Sequence, residues 1–99
     1  MHIISRKKLK EFSLIYPDAE APLEAWYRTA KQASWQSIAE VRISYPQADA
    51  VGICTVFNIG GNKYRLITKI YYKDQVVLIR NVLTHPEYDK GAWKNDCSK

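Results

Sequence analysis

Side chains alternate in character along residues 63–73, and this alternation constrains the fold more than any other feature of the sequence. One set of alternate positions is mainly apolar or aromatic, and the other set carries the basic residues. The first set comprises Tyr64, Leu66, Thr68, Ile70 and Tyr72; the second comprises Lys63, Arg65, Ile67, Lys69, Tyr71 and Lys73. Successive side chains of a strand point to opposite faces of a sheet. The segment therefore predicts a β-strand with one core face and one cationic face.

The flanking segments predict neighbouring strands. Residues 51–59 include a run of β-forming residues and end at Gly60-Gly61-Asn62, which is typical of a turn. Residues 75–84 supply another strand after a turn near Asp74. We therefore expect a sheet of three to four strands over about residues 51–85.

The N-terminal part has a helical period instead. Apolar residues recur at helical spacing in several segments between residues 5 and 45, and prolines 17 and 46 interrupt the pattern. Pro86 suits the first turn of a short closing helix, followed by a tail to residue 99. A chain of 99 residues is expected to form one domain, here residues 1–99. The prediction is an α+β fold with N-terminal helices, a sheet and a short C-terminal helix.

The length of the turn near Asp74 decides which face of the sheet carries Arg80. A two-residue turn, at residues 73–74 or 74–75, places Arg80 opposite Ile67 or Lys69 and therefore on the cationic face. A three-residue turn places it on the apolar face, where an unpaired guanidinium is costly. We therefore expect an even-length turn and a shared cationic face.

Charge and composition narrow the function classes. The formal net charge is +5, and residues 60–99 carry 8 basic and 4 acidic side chains, so +4 of it lies there. Such a surface suits a phosphate backbone, although it also serves solubility. The His and Cys residues have no metal-ligand spacing, and Gly60-Gly61-Asn62-Lys63 falls short of a phosphate-binding P-loop. We expect neither a metal nor another cofactor.

The two cysteines are interpreted as reduced thiols. Cys54 and Cys97 are far apart, form no CxxC pair, and are too few to staple a fold with this apolar content. The N-terminus lacks the apolar segment of a signal peptide, and nowhere do eighteen apolar residues run together. We therefore expect a cytoplasmic protein that does not contact the membrane.

Two segments resemble the signature segments of HigB-type toxins of type II toxin–antitoxin systems. They are Phe57-Asn58-Ile59-Gly60-Gly61-Asn62-Lys63-Tyr64-Arg65-Leu66 and Ile79-Arg80-Asn81-Val82-Leu83-Thr84-His85-Pro86-Glu87-Tyr88-Asp89. The helical part is similar in outline, and the tail after Asp89 matches poorly. The resemblance implies the RelE/ParE-like fold, in which N-terminal helices pack on a twisted antiparallel sheet whose open face carries the active site.

The resemblance also implies an activity and partners. These toxins cleave messenger RNA while the ribosome holds it, without a metal, and a HigA-type helix-turn-helix antitoxin neutralises them. Such cleavage uses the RNA 2′-hydroxyl as the internal nucleophile and leaves a 2′,3′-cyclic phosphate. It needs a base, an acid and cations around the phosphate. The implied partners are therefore messenger RNA, the ribosome and the antitoxin.

Four residues are the candidates for catalysis. Arg65 and Arg80 resemble the two sheet arginines of the family, and a guanidinium suits the oxygens of a crowded phosphate. The alternative is a structural pairing of either arginine with Glu87 or Asp89. His85 can give or accept a proton near neutral pH, or it is merely exposed at a strand-to-helix junction. The fourth candidate is Tyr88, which would stack on a base or donate its hydroxyl, or would only pack the closing helix.

Further basic and aromatic residues are candidates for RNA binding. Lys63, Lys69 and Lys73 would follow the RNA backbone, and Tyr71 among them offers a stacking surface. Each of them also fits a solvated surface. Trp93 lies in the unmatched tail, and its role stays open.

Two rival functions fit the same residues. A non-catalytic RNA-binding module would explain every basic and aromatic residue by binding alone. A ParE-like gyrase inhibitor shares the same fold, and fold does not decide function. The combination of Arg65, Arg80 and His85 argues against the gyrase inhibitor, whereas the RNA-binding module stays open as the alternative.

Overall fold

The computed structural model describes residues 1–98, in which helices dominate the first half and strands the second. The elements are β1 (His2–Ile4), α1 (Lys7–Ile15), a 3-10 turn (Pro17–Ala19), α2 (Glu20–Gln32), α3 (Ile38–Ser44), β2 (Asp49–Val51), β3 (Cys54–Ile59), β4 (Tyr64–Tyr71), β5 (Val76–Thr84), α4 (His85–Lys90) and a C-terminal 3-10 helix (Ala92–Cys97). The predicted α+β class is confirmed. Lys99, the last residue of the predicted tail, lies outside the described residues.

The strands described between residues 1 and 98 form one five-stranded mixed sheet in the order β1-β5-β4-β3-β2. The three contacts among β2, β3, β4 and β5 are antiparallel, and β1 runs parallel to β5. The expectation of three to four antiparallel strands was therefore too low. Two of the strands, β1 and β2, have only three residues each, too few to show an alternating pattern in the sequence.

One face of the sheet packs against the helices and holds the larger core. Phe57 of β3 is fully buried, and its ring contacts those of Trp26, Trp35 and Tyr45 with centroid distances of 5.4, 6.1 and 5.3 Å. The apolar positions that the alternation predicted join this core: Tyr64 and Leu66 of β4 as buried members, with Ile70 of β4 and Tyr72 just after it packed against them. We call this the helix face.

The other face of the sheet carries a smaller core that the C-terminal 3-10 helix covers. Val56 and Ile67 from the sheet pack there with Trp93, and Cys54 of β3 forms a disulfide with Cys97. The expectation of reduced thiols was wrong, and it no longer supports a cytoplasmic location. The sequence separation of 43 gave no spacing signal, because the chain end folds back over the sheet to close the pair. We call this the second face.

No helix within residues 1–98 is long and apolar enough to cross a membrane.

The hairpin between β4 and β5 has the predicted even-length turn. Tyr71 pairs with Val76, and the Gln75 amide donates to the Tyr72 carbonyl, which places residues 73–74 at the centre of the turn. Further along, Thr68 pairs with Ile79 while Ile67 pairs with Asn81, so Arg80 is the extra residue of a β-bulge. The face predicted for Arg80 is confirmed, although it has no partner directly opposite.

Candidate active site

Two cations of the second face converge on one carboxylate. Arg80 Nε lies 2.6 Å from Asp96 Oδ2, and its Nη2 lies 3.2 Å from Oδ1. Lys69 Nζ lies 3.3 Å from the same Oδ1. The two side chains come from neighbouring strands, β5 and β4. Together they form an anion-binding site on the second face, which Asp96 of the C-terminal 3-10 helix occupies.

The two cations favour the charged form of the Asp96 carboxyl. The hydrogen bond from Arg80, opposed by partial burial and reinforced by Lys69, holds the pKa of Asp96 below its usual range. The exposed fractions of the Arg80, Asp96 and Lys69 side chains are 37%, 32% and 15%, so solvent reaches the cluster. The cluster therefore lies near the surface, with Asp96 as the anion that both cations bind.

The bulge at Arg80 explains how this side chain is aimed. A bulge inserts an unpaired residue and locally turns the strand, which redirects the side chain at that point. The backbone carbonyl of Arg80 accepts a hydrogen bond from Lys8 Nζ of α1 at 2.8 Å. This bond provides a partner for a bulged backbone carbonyl, as peptide groups generally require. Helix α1 thus supports the bulge that presents Arg80.

Arg65 lies beside Tyr88 on the same face. The Arg65 guanidinium carbon is 5.0 Å from the centre of the Tyr88 ring, and Arg65 Nη1 donates to the carbonyls of Asn62 and Tyr64. Tyr88 in turn stacks on Trp93 with ring centres 5.0 Å apart. These contacts give Arg65 a fixed position, and neither Glu87 nor Asp89 is needed to hold it. The alternative pairing of Arg80 with those two acids was also wrong, because its partner is Asp96.

A capping box sets the start of α4 and thereby the position of His85. The Thr84 amide donates to Glu87 Oε1 at 2.9 Å, and the Glu87 amide donates to Thr84 Oγ1 at 3.4 Å. The hydrogen bonds from the Thr84 amide and hydroxyl lower the pKa of Glu87. The helix ends at Gly91, whose φ of 76° is the left-handed conformation that glycine adopts readily. Strand β5 therefore passes directly into a fixed helical turn.

His85 is the first residue of that turn and is exposed. Its Nδ1 lies 3.0 Å from Asp89 Oδ2, one helical turn further on. A carboxylate at Nδ1 orients the ring and leaves Nε2 free to exchange a proton with a substrate. Its geometry therefore fits a proton-transfer residue at the surface.

The predicted RNA-binding residues divide between two locations. Lys69 lies in the anion-binding site, and Tyr71 at the end of β4 is 47% exposed. Lys73 is exposed in the hairpin turn. The prediction that Lys63 lies on the cationic face was wrong. Lys63 precedes the first residue of β4, so the alternation of side chains along the strand does not apply to it.

Lys63 belongs instead to a cluster on the helix side. Its Nζ pairs with Asp18, which also accepts a hydrogen bond from the Tyr64 hydroxyl at 2.6 Å. The Lys63 and Tyr64 hydrogen bonds lower the pKa of Asp18, and the Asp18 carboxylate raises the pKa of Tyr64 to about 12. This cluster fastens the 3-10 turn after α1 to the start of β4.

Sequence reasoning missed two features of the site, the capping box and Asp96. The capping box has the S/T-x-x-E pattern at Thr84 and Glu87, a local signal that can be found by inspection. Asp96 has no such signal, because its contacts with Lys69 and Arg80 depend on how the tail folds back. Among residues 1–98, no three His, Cys, Asp or Glu side chains cluster as metal ligands.

Comparison with known proteins places these observations in a family. A model of the HigB toxin family, described as the RelE-like toxic component of a toxin–antitoxin system, matches residues 19–91. The "mRNA interferase toxin HigB" of Escherichia coli (strain K12) is 32% identical over 92 residues, covering 90% of this chain and 88% of that protein. The "mRNA interferase HigB" of E. coli O6:H1 (strain CFT073) is 30% identical over 93 residues, covering 91% and 90%. The chain therefore belongs to the HigB toxin family, the RelE-like toxic components of toxin–antitoxin systems.

Proposed function

We propose that this protein is an endoribonuclease that cleaves messenger RNA on the ribosome and so inhibits translation. The observation that carries the proposal is the pair of cations, Arg80 and Lys69, that converge on one anion at the surface of the second face. The relatives named mRNA interferases support the same reaction. A HigA-type antitoxin is the proposed neutralising partner, and residues 1–99 act as one toxin domain in the cytoplasm, where messenger RNA is translated.

The proposed reaction needs no metal or cofactor. The 2′-oxygen of the RNA attacks the adjacent phosphorus, the bond to the 5′-oxygen breaks, and a 2′,3′-cyclic phosphate forms. A base takes the 2′-hydroxyl proton, and an acid returns a proton to the departing 5′-oxygen. The net reaction is a transesterification without oxidation or reduction.

The candidate residues fit distinct parts of this reaction. Arg80, with Lys69 beside it, binds the phosphate and stabilises the charge that develops on its oxygens. Arg65 supplies a further cation, and Tyr88 next to it offers a ring or a hydroxyl to the substrate. His85, oriented by Asp89, exchanges a proton at Nε2. Lys63 pairs with Asp18 and is left out of this set, whereas Tyr71 and Lys73 extend the RNA-binding surface beyond the reaction centre.

The ribosome would complete the alignment. Positioning of reacting groups can lower a barrier by roughly 7–11 kcal/mol. A shallow exposed site such as this one holds a flexible RNA poorly by itself, so a template that fixes the message compensates. We therefore expect much faster cleavage of messenger RNA in a translating extract than of the same RNA free in solution.

The test adds the purified protein to a translating extract and maps the ends of the messenger RNA. The wild type should produce cuts that end in a 2′,3′-cyclic phosphate. His85→Ala should reduce the rate by about 10²–10⁴-fold, the range for loss of an acid–base group. The matched control is His2→Ala, which removes the exposed histidine of β1 and should cleave at the wild-type rate.

Three results would contradict the proposal in different ways. Intact messenger RNA with bound protein would favour a non-catalytic RNA-binding module. Intact messenger RNA with arrested DNA gyrase would favour the ParE-like activity. Equally fast cleavage of free and translated RNA would retain the ribonuclease but remove the role of the ribosome.

A further inference from the structure

The C-terminal 3-10 helix, residues 92–97, covers the anion-binding site of the second face. Three contacts besides the disulfide hold it: the Trp93 ring stacks on Tyr88, Trp93 Nε1 donates to the Tyr88 carbonyl at 2.9 Å, and the Ile53 amide donates to the Cys97 carbonyl at 2.8 Å. Asp96 then reaches the two cations. We call these residues the cover.

The carboxylate of Asp96 occupies the site as a phosphate would. Its two oxygens accept from Nε and Nη2 of Arg80, the forked arrangement in which a guanidinium binds carboxylates and phosphates alike. Lys69 adds a third donor to the same group. These donors can bind only one anion at a time. Asp96 and an RNA phosphate therefore compete for Arg80.

The cover lies beyond the segment that the family model matches. The family match ends at residue 91, immediately before the cover begins, and the two arginines and His85 lie within the match. The anion-binding cations thus lie within the matched segment, whereas Asp96, which fills the site, and Cys97 lie beyond it.

We propose that the cover is a built-in competitor for RNA and that the Cys54–Cys97 disulfide latches it in place. The inference rests on the proposed function, because it concerns access of RNA to the same site. With the disulfide formed, Asp96 is held near Arg80 and Lys69 at a high effective concentration. With the disulfide broken, the cover loses its covalent attachment, and an RNA phosphate competes for both cations more easily.

The latch opens by thiol–disulfide exchange with a dithiol reductant. One thiolate of the reductant attacks a sulfur of the disulfide and forms a mixed disulfide, and its second thiol displaces the remaining sulfur. Cys54 and Cys97 each gain one electron and one proton, and the reductant becomes a cyclic disulfide. Both cysteines are buried, so the reductant acts when the cover has loosened. Exchange with an oxidised dithiol, which takes up the two electrons and two protons as its own disulfide is reduced, runs the step in reverse and closes the latch.

The experiment measures binding of a 2′-O-methyl RNA oligonucleotide, which cannot be cleaved, to four states of the full chain. The states are wild type and Asp96→Asn, each with the disulfide intact or reduced by dithiothreitol. Intact Asp96→Asn should bind about fivefold more tightly than intact wild type, because the competing charge is gone. Reduction should tighten binding of the oligonucleotide to wild type. It should change the affinity of Asp96→Asn less. Glu11→Gln, which removes one exposed carboxylate of α1, is the control for net charge.

A second measurement follows the cover without RNA. Hydrogen exchange of the Ile53 amide and of the Trp93 indole N–H reports on two bonds that hold the cover. Both should exchange faster after reduction, whereas the Thr68 amide in the middle of the sheet should be unaffected. Cys97→Ala, which cannot form the disulfide, should behave like the reduced wild type without any reductant.

The outcomes separate this inference from the proposed function. If the oligonucleotide binds all four states equally, or if Asp96→Asn binds no more tightly than Glu11→Gln, the cover is not a competitor and only this inference fails. Weaker binding by Asp96→Asn would make Asp96 a positioning residue and would also overturn it. No change in exchange at Ile53 and Trp93 upon reduction would exclude the latch. Absence of binding in every state would also overturn this inference, because RNA would then not reach the cations whether or not the cover is held. The proposed function is tested separately, by cleavage of messenger RNA in the translating extract.

Discussion

The two faces of the sheet differ in what they bury and in what holds them. The helix face buries a continuous core under α1, α2 and α3, in which Trp26, Phe57 and Leu66 are almost completely inaccessible. The second face buries a small cluster under six residues of the C-terminal 3-10 helix, and its largest buried side chain is Trp93. The hydrophobic contribution to stability scales with the apolar area that is buried. The helix face therefore provides most of the stability.

This difference indicates a division of roles. The cations Arg65, Lys69 and Arg80 all lie on the second face, where a short segment rather than a helical layer covers the sheet. A site that must bind a long polyanion has to remain open or easily opened. The helix face can therefore keep the fold intact while the second face exchanges its cover for a substrate.

Phe57→Ala tests the helix face and should have the largest effect. Removal of this fully buried ring, which contacts three other aromatic rings, should lower the free energy of unfolding by about 3–5 kcal/mol. Denaturant unfolding measures the change, and Phe57→Leu should lose less if the alanine variant does not fold. Leu14→Ala, at an 84% exposed position of α1, should change it by less than about 0.5 kcal/mol. Similar losses of unfolding free energy for Phe57→Ala and Leu14→Ala would contradict the role of the helix face as the main core.

Reduction of the disulfide tests the covalent attachment of the second face. A crosslink across a sequence separation of 43 should contribute about 2–4 kcal/mol to the free energy of unfolding through the entropy of the unfolded chain. Denaturant unfolding with and without dithiothreitol measures it, and the sheet signal in circular dichroism should persist after reduction. Loss of the whole sheet upon reduction would show that the second face is as essential to folding as the helix face.

Thr84→Ala tests the junction that positions His85. It removes one half of the capping box and should lower the free energy of unfolding by about 1 kcal/mol. Thr84→Ser retains the hydroxyl and should retain most of that stability. An unchanged unfolding midpoint for Thr84→Ala would show that the capping box does not stabilise α4.

The Asp18 cluster should have the smallest effect, with a definite dependence on pH. The pKa of Asp18 is lowered in the fold, so its contribution to stability is present above its ordinary pKa of 3.8 and is lost as the pH falls through the lower folded value. The contribution of Tyr64 depends on pH in the opposite direction. It is fully present below pH 10 and is lost as the pH rises toward about 12. Urea midpoints of wild type, Asp18→Asn and Tyr64→Phe across pH measure both trends. A gap in urea midpoint between wild type and Asp18→Asn that does not narrow as the pH falls below 3.8 would contradict this assignment.

Local patterns predicted much of the fold, and long-range contacts account for what they missed. Alternation along β4 and the even-length turn before β5 correctly placed Arg65, Lys69 and Arg80 on one face. The same pattern failed at Lys63, because that residue lies in the turn before the strand begins. The bulge at Arg80 has no sequence signal of its own, since it depends on how two strands pair.

The cover was the main omission. Two cysteines separated by 43 positions carry no spacing that distinguishes a disulfide from two thiols, because their pairing depends on how residues 92–97 fold back over the sheet. Asp96 and Trp93 likewise acquire their contacts through this fold-back. The candidate site was therefore predictable where residues are neighbours in one hairpin and unpredictable where the tail returns to it.

The most direct test of the division between faces compares two arginines on opposite sides of the molecule. Arg80 lies on the second face, and Arg28 is an exposed arginine of α2 on the helix side. Cleavage of messenger RNA in a translating extract should fall by about 10²–10³-fold for Arg80→Ala, as expected when a charge-stabilising group is lost, and should be unchanged for Arg28→Ala. Equal losses for the two variants, or a wild-type rate for Arg80→Ala, would contradict the account.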